Sequence, residues 1–147
     1  MNDSPPNDPG PGVRARRAAI EALLAIEADG TVSAQAALTD ALDGATSGAE
    51  PLVGADRGLV TTLVFGVLRR RGALDVWLTS ASDRGLRGMD AAVLTSLRVG
   101  LYQLAALSRV PAFAAVDATL DAARPLIAKR AVGFVHAVLR RLAREVD

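Results

Sequence analysis

Cysteine is absent from all 147 residues, which rules out disulfide staples, thiolate–zinc sites and a cysteine nucleophile within this chain. A single histidine, His136, cannot assemble an imidazole metal site, so no metal is expected. Aromatic residues make up only 3% of the chain although half of it is hydrophobic, so the core must be built from Ala, Leu and Val. Ala and Leu lead the helix scale, and β-branched and aromatic residues lead the strand scale, so the balance favours helices. The longest stretch without a charge, Gly58 to Leu68, is eleven residues, against the roughly twenty needed to span a bilayer. No basic-then-apolar leader opens the chain; cytoplasm is the expected compartment, with no membrane partner. No glycine-rich phosphate loop follows a strand, and no acid–base pair accompanies a candidate nucleophile. The chain alone is therefore expected to hold no catalytic residue and no cofactor.

What remains is the material of one ordinary domain. Formal net charge is only +1, and the informative feature is its make-up: of seventeen basic residues sixteen are Arg, with Lys129 the exception. Arginine is the better fork for phosphate and the better stacking partner for bases, although an Ala- and Arg-rich composition is also what a G+C-rich genome produces. Residues 1–12 are mostly Pro, Gly, Asn and Asp without apolar periodicity and read as a disordered tail. The tail contains Asp3 and Asp8, so residues 13–147, read as one folded domain, are more basic than the whole.

Apolar spacing predicts a first helix from Val13 to Ala28, through Ile20, Leu23 and Leu24. Ser33 can cap a second, carrying Ala37, Leu38 and Leu42 and ending at Gly44. A polar loop from Gly44 to Gly54 leads to a longer helix opened by Asp56, carrying Leu59, Val60, Leu63, Val64, Val67 and Leu68, and ending at Arg69-Arg70-Arg71-Gly72. Leu74, Trp77 and Leu78 suggest a short separate helix, followed by a loop from Asp83 to Gly88. Asp90 caps the next helix, which should stop near Ser108. Pro111 fits the first turn of another, ended by Pro125. The last runs from about Ala131 to Glu145. No segment alternates with the period of a strand. The expectation is an all-α bundle of about seven helices.

Three arginine clusters are the candidate RNA-binding residues. Arg14, Arg16 and Arg17 sit at a helix start, where the dipole disfavours cations, so an anionic partner accounts for them better than local stability does. Arg69, Arg70 and Arg71 could grip phosphate, but cations at a helix C-terminus also complete its last carbonyls; the same alternative covers Arg140 and Arg141, with Arg144. Gly85-Leu86-Arg87-Gly88 has the GXXG spacing of a KH loop, yet KH domains need adjacent strands, and a plain helix–helix connection is the better reading. Gly66 and Gly100 fall inside strongly periodic helices, where close helix crossing would offset their cost of about 1 kcal/mol each. Arg98 borders an apolar face and is expected to pair with Asp75 or Asp117, and His136 is expected to be a hydrogen-bonded structural residue.

Several of these residues also occur in a family order. Asp56-Arg57, Phe65-Gly66-Val67-Leu68-Arg69 and Leu74-Asp75, then Leu97-Arg98-Val99-Gly100-Leu101-Tyr102-Gln103-Leu104, then Arg109-Val110-Pro111 and Ala114-Ala115-Val116, and finally Phe134-Val135-His136-Ala137-Val138-Leu139-Arg140-Arg141 together resemble the NusB-like N-terminal domain of the ribosomal RNA small-subunit methyltransferase B group. The resemblance runs from about Arg14 to Arg144 and implies two packed three-helix subbundles. It further implies RNA binding in the service of 16S ribosomal RNA cytosine-C5 methylation. The partners implied are ribosomal RNA and a C-terminal methyltransferase domain, outside this chain, that would carry S-adenosylmethionine and the cysteine chemistry. His136 stands where the family usually has Asn. The alternatives are a free-standing NusB-type transcription antitermination factor, whose partner would be ribosomal protein S10, and a non-catalytic protein–protein module.

Overall fold

A computed structural model describes residues 10, 12–44 and 50–146. Almost all of the stretch read as a tail, and most of the polar loop between Gly44 and Gly54, lie outside the described residues.

Six α-helices and no strand occur among the described residues: α1 (Val13–Ala28), α2 (Ala34–Asp43), α3 (Ala55–Ala81), α4 (Ala91–Ala106), α5 (Ala112–Ala123) and α6 (Val132–Val146), with two short 3-10 turns between α5 and α6. Local chemistry sets several ends as expected. The Ser33 hydroxyl accepts from the Ala36 N–H at 3.0 Å and opens α2, Gly44 closes it in the left-handed conformation, and the Asp90 carboxylate accepts from the Ala92 and Val93 N–H groups and opens α4.

One expected boundary is absent. Arg69-Arg70-Arg71-Gly72 does not end a helix, because α3 continues to Ala81, so six long helices form instead of seven. Leu63, Val67, Leu74, Leu78 and Ala81 are all buried, so the apolar stripe resumes at Leu74 beyond the exposed turn 69–73. Burial along it outweighs the cost of one exposed glycine, about 1 kcal/mol.

The helices form two groups of three. Within the first, α1, α2 and α3 pack pairwise, and within the second so do α4, α5 and α6; contacts of α1 with α4 and α5, and of α3 with α4, join them. Helix α4 is buried on nearly all sides, and two glycines permit its crossings. A Cβ on Gly66 would lie 2.1 Å from the Tyr102 ring, and one on Gly100 would lie 2.5 Å from a Leu139 methyl, so close helix crossing does account for both.

Burying α4 requires its polar side chains to find partners. Arg98 is buried and donates through Nε and Nη2 to both oxygens of Asp75, each at 2.8 Å, and through Nη1 to Glu27 at 2.9 Å. Burial works against the charged guanidinium, but the hydrogen bonds and charges of Asp75 and Glu27 outweigh it and raise the Arg98 pKa. Since Glu27 is on α1, Asp75 on α3 and Arg98 on α4, this ion cluster ties the two groups together.

Candidate nucleic-acid interface

The arginines at the start of α1 do not form one cationic patch. Arg16 is only 6% exposed. Its Nε donates to Gln103 Oε1 at 2.7 Å and its Nη1 to the Gly12 carbonyl at 3.1 Å, while the Gln103 amide donates to Thr119 Oγ1 at 2.7 Å and to the Val99 carbonyl at 3.0 Å. Burial pushes the Arg16 guanidinium below its ordinary pKa, with Asp56 pulling the other way. Arg16 is thus a structural residue with no surface to offer RNA, which corrects the expectation for this position.

Arg17 donates through Nε to the Ala122 carbonyl at 3.1 Å and through Nη2 to that of Asp121 at 3.2 Å. These are last-turn carbonyls of α5, which have no partner within their own helix. The negative end of α5 meets the start of α1, so tertiary structure supplies the favourable electrostatics that α1 itself lacks. Arg14 donates to the Glu50 carbonyl.

The other two clusters lie elsewhere. Arg69 and Arg70 are exposed in the interior of α3, so the helix-end explanation does not apply to them, and Arg71 pairs with Glu27 at 2.8 Å. Glu27 is thirteen residues beyond Arg14 on α1, which at about 1.5 Å per residue separates the first two clusters by roughly 20 Å. Arg140 and Arg144 are exposed on α6. Arg141 bonds Glu145 at 3.2 Å and reaches the Ala81 carbonyl at the end of α3 at 3.5 Å. The three clusters do not converge on one cavity. His136 is half-buried and has no side-chain hydrogen bond to the described residues.

A basic cavity is formed instead by residues that the sequence did not single out for RNA. The α3–α4 loop and the 3-10 turn before α6 enclose about 620 Å³ lined by Arg84, Arg87 and Arg130, with Phe134, Val93 and Leu126 among its apolar walls. Gly85 and Gly88 adopt φ 69° and 79°, which lets the loop turn sharply at both ends of the GXXG segment. The segment is a helix–helix connection, as expected, and it also carries Arg87, with Arg84 immediately before it. All three are exposed, and none has an ion-pair partner among the described residues. The one carboxylate in the lining, Asp90, is engaged in capping α4. The signal that could have pointed here is the pattern Arg84-Gly85-Leu86-Arg87-Gly88, two cations set on a tight turn.

Such a cavity can receive phosphate oxygens on its guanidiniums and a base against a half-buried ring. Among the described residues no group of three or more His, Cys, Asp or Glu could hold a metal ion, and no helix is long and apolar enough to cross a membrane.

Comparison with known proteins agrees with the architecture. The NusB family model matches residues 13–144. The chain is 43% identical over 134 residues to a ribosomal RNA small subunit methyltransferase B of Xanthomonas campestris, covering 91% of this chain and 29% of that protein. It is 37% identical over 129 residues to a putative methyltransferase of Mycobacterium tuberculosis, covering 88% and 27%. The chain therefore spans less than a third of the length of these relatives. In structure it is similar to NusB of T. maritima, with a TM-score of 0.79 at 19% identity and 94% of each chain covered; that likeness bears on the fold alone. With the family model matching from the first turn of α1 to the last turn of α6, the chain belongs to the NusB family.

Proposed function

We propose that this chain is an RNA-binding domain that helps present 16S ribosomal RNA to a cytosine-C5 methyltransferase domain outside it. The observation that carries this reading is the cavity of Arg84, Arg87 and Arg130 beside Phe134, three cations without ion-pair partners among the described residues next to an accessible ring. Phosphate contacts supply the affinity and stacking of an unpaired base supplies a docking point, which together favour single-stranded RNA over a duplex. The methyltransferase part of the reading is supported by the relatives, whose matched portion is under a third of their length.

In this reading S-adenosylmethionine belongs to the catalytic domain. A Rossmann-type cofactor site opens where a strand turns into a helix, and this reading places it in that domain. No step of methyl transfer is assigned to this chain.

Binding of 16S ribosomal RNA fragments by the purified chain is the test. With about three phosphates neutralised, affinity should fall roughly twentyfold between about 50 and about 200 mM salt. Absence of binding at low salt, or flat salt dependence, overturns the proposal. Incubation with labelled S-adenosylmethionine and RNA should yield no methylated product; methyl transfer by this chain alone would contradict the assignment.

A further inference from the structure

The groove between α1 and α2 encloses about 400 Å³ and differs in character from the basic cavity. Its floor is made of small side chains, Ala18, Ala22, Ala37 and Ala41, which leave an apolar trough wide enough for a large side chain from elsewhere. Around it stand three carboxylates, Glu21, Asp40 and Glu50. None forms an ion pair with the described residues, and residues 45–49, Ala-Thr-Ser-Gly-Ala, contain no cation.

The two arginines in the lining do not neutralise the carboxylates at contact distance. Arg14 is directed to the Glu50 carbonyl and Arg17 to the carbonyls of Asp121 and Ala122. Burial raises the pKa of Glu21, and the charge of Arg17 offsets this only in part. A partly desolvated carboxylate beside an apolar trough is a site short of a cation.

We propose that the α1–α2 groove docks a basic amphipathic protein segment, which seats an apolar side chain on the alanine floor and sets a lysine or arginine against Glu21 and Asp40. Charge complementarity selects this partner, because apolar contact alone would suit an uncharged segment equally well and the carboxylates would then be buried unpaired. The proposal does not depend on RNA binding at the opposite-charged cavity.

The test uses the whole chain, labelled with nitrogen-15, and a synthetic amphipathic helix of leucine and lysine as the probe, with its leucine–glutamate counterpart as control. The lysine peptide should shift the amide signals of α1 and α2 around Ala22 and Ala37. Glu21→Gln with Asp40→Asn should weaken it by at least roughly tenfold, and the glutamate peptide should leave those signals unmoved. Ala41→Leu, which fills the trough and keeps every carboxylate, should also block binding; it decides the matter if the double variant fails to fold. Shifts centred outside α1 and α2, equal binding of the glutamate peptide, or unchanged affinity in a folded variant would each overturn the proposal.

Discussion

Two cavities of this domain both carry arginines in their linings, and they differ in what those arginines do. At the α1–α2 groove, Arg14 and Arg17 are held by backbone carbonyls, and the carboxylates of Glu21, Asp40 and Glu50 set the local charge. At the cavity beside α6, Arg84, Arg87 and Arg130 have no ion-pair partner among the described residues, and the nearby Asp90 caps a helix. A cluster of arginines in the sequence therefore does not by itself mark an anion site. What matters is whether the guanidiniums are already satisfied by the fold, since a hydrogen bond already made inside the protein must be given up before it can be offered to phosphate.

That division can be broken by stability measurements. The largest effect is expected for Arg98→Ala, which strands Asp75 in a partly buried position, leaves Glu27 with Arg71 alone, and should cost about 3–5 kcal/mol in denaturant unfolding; a loss under about 1 kcal/mol would place Arg98 with ordinary surface pairs. Arg16→Ala leaves Gln103 short of a donor in the core and should cost about 1–3 kcal/mol. If thermal melting were unchanged by it, Arg16 would have to be returned to the surface set. By contrast, single Arg84→Ala, Arg87→Ala and Arg130→Ala replacements should each stay within about 0.5 kcal/mol of the parent, and a larger drop in any of them would mean that its guanidinium serves the fold.

The smallest effect concerns Glu21. Burial raises its pKa, so the folded state holds the proton more tightly than the unfolded chain, and stability from this group rises as pH falls through the window just above the ordinary carboxylate value. Glu21→Gln should remove that rise and be slightly more stable than the parent at neutral pH. A pH–stability profile identical in the two proteins would show that the Glu21 carboxylate is as well solvated in the groove as in the unfolded chain.

The same contrast explains how much could be read from the sequence. Helix starts set by one side chain, such as Ser33 and Asp90, and the glycine stop at Gly44 depend on neighbours a few residues away and were readable directly. The end assigned at Gly72 was not, because the local stop signal competes with a buried stripe that resumes at Leu74 and Leu78. The Arg98–Asp75 pair was anticipated from a charge beside an apolar face, but the second partner, Glu27, lies 71 residues away. Arg16 and Gln103 are 87 residues apart, and no local pattern at a helix start reveals a buried acceptor at that distance. The basic cavity is assembled in the same way, from two loops separated by the whole of α4 and α5.

RNA affinity measured as a function of salt, for the parent and for the Arg84→Glu, Arg87→Glu, Arg130→Glu triple variant, tests the central claim most directly. If the cavity beside α6 is the phosphate site, the triple variant should bind 16S ribosomal RNA fragments at least roughly tenfold more weakly, and its logarithmic salt slope should be shallower by about two, while Arg14→Ala with Arg17→Ala should leave that slope close to the parent's. An unchanged slope in the folded triple variant, with the loss of affinity falling instead on the Arg14 and Arg17 variant, would contradict it.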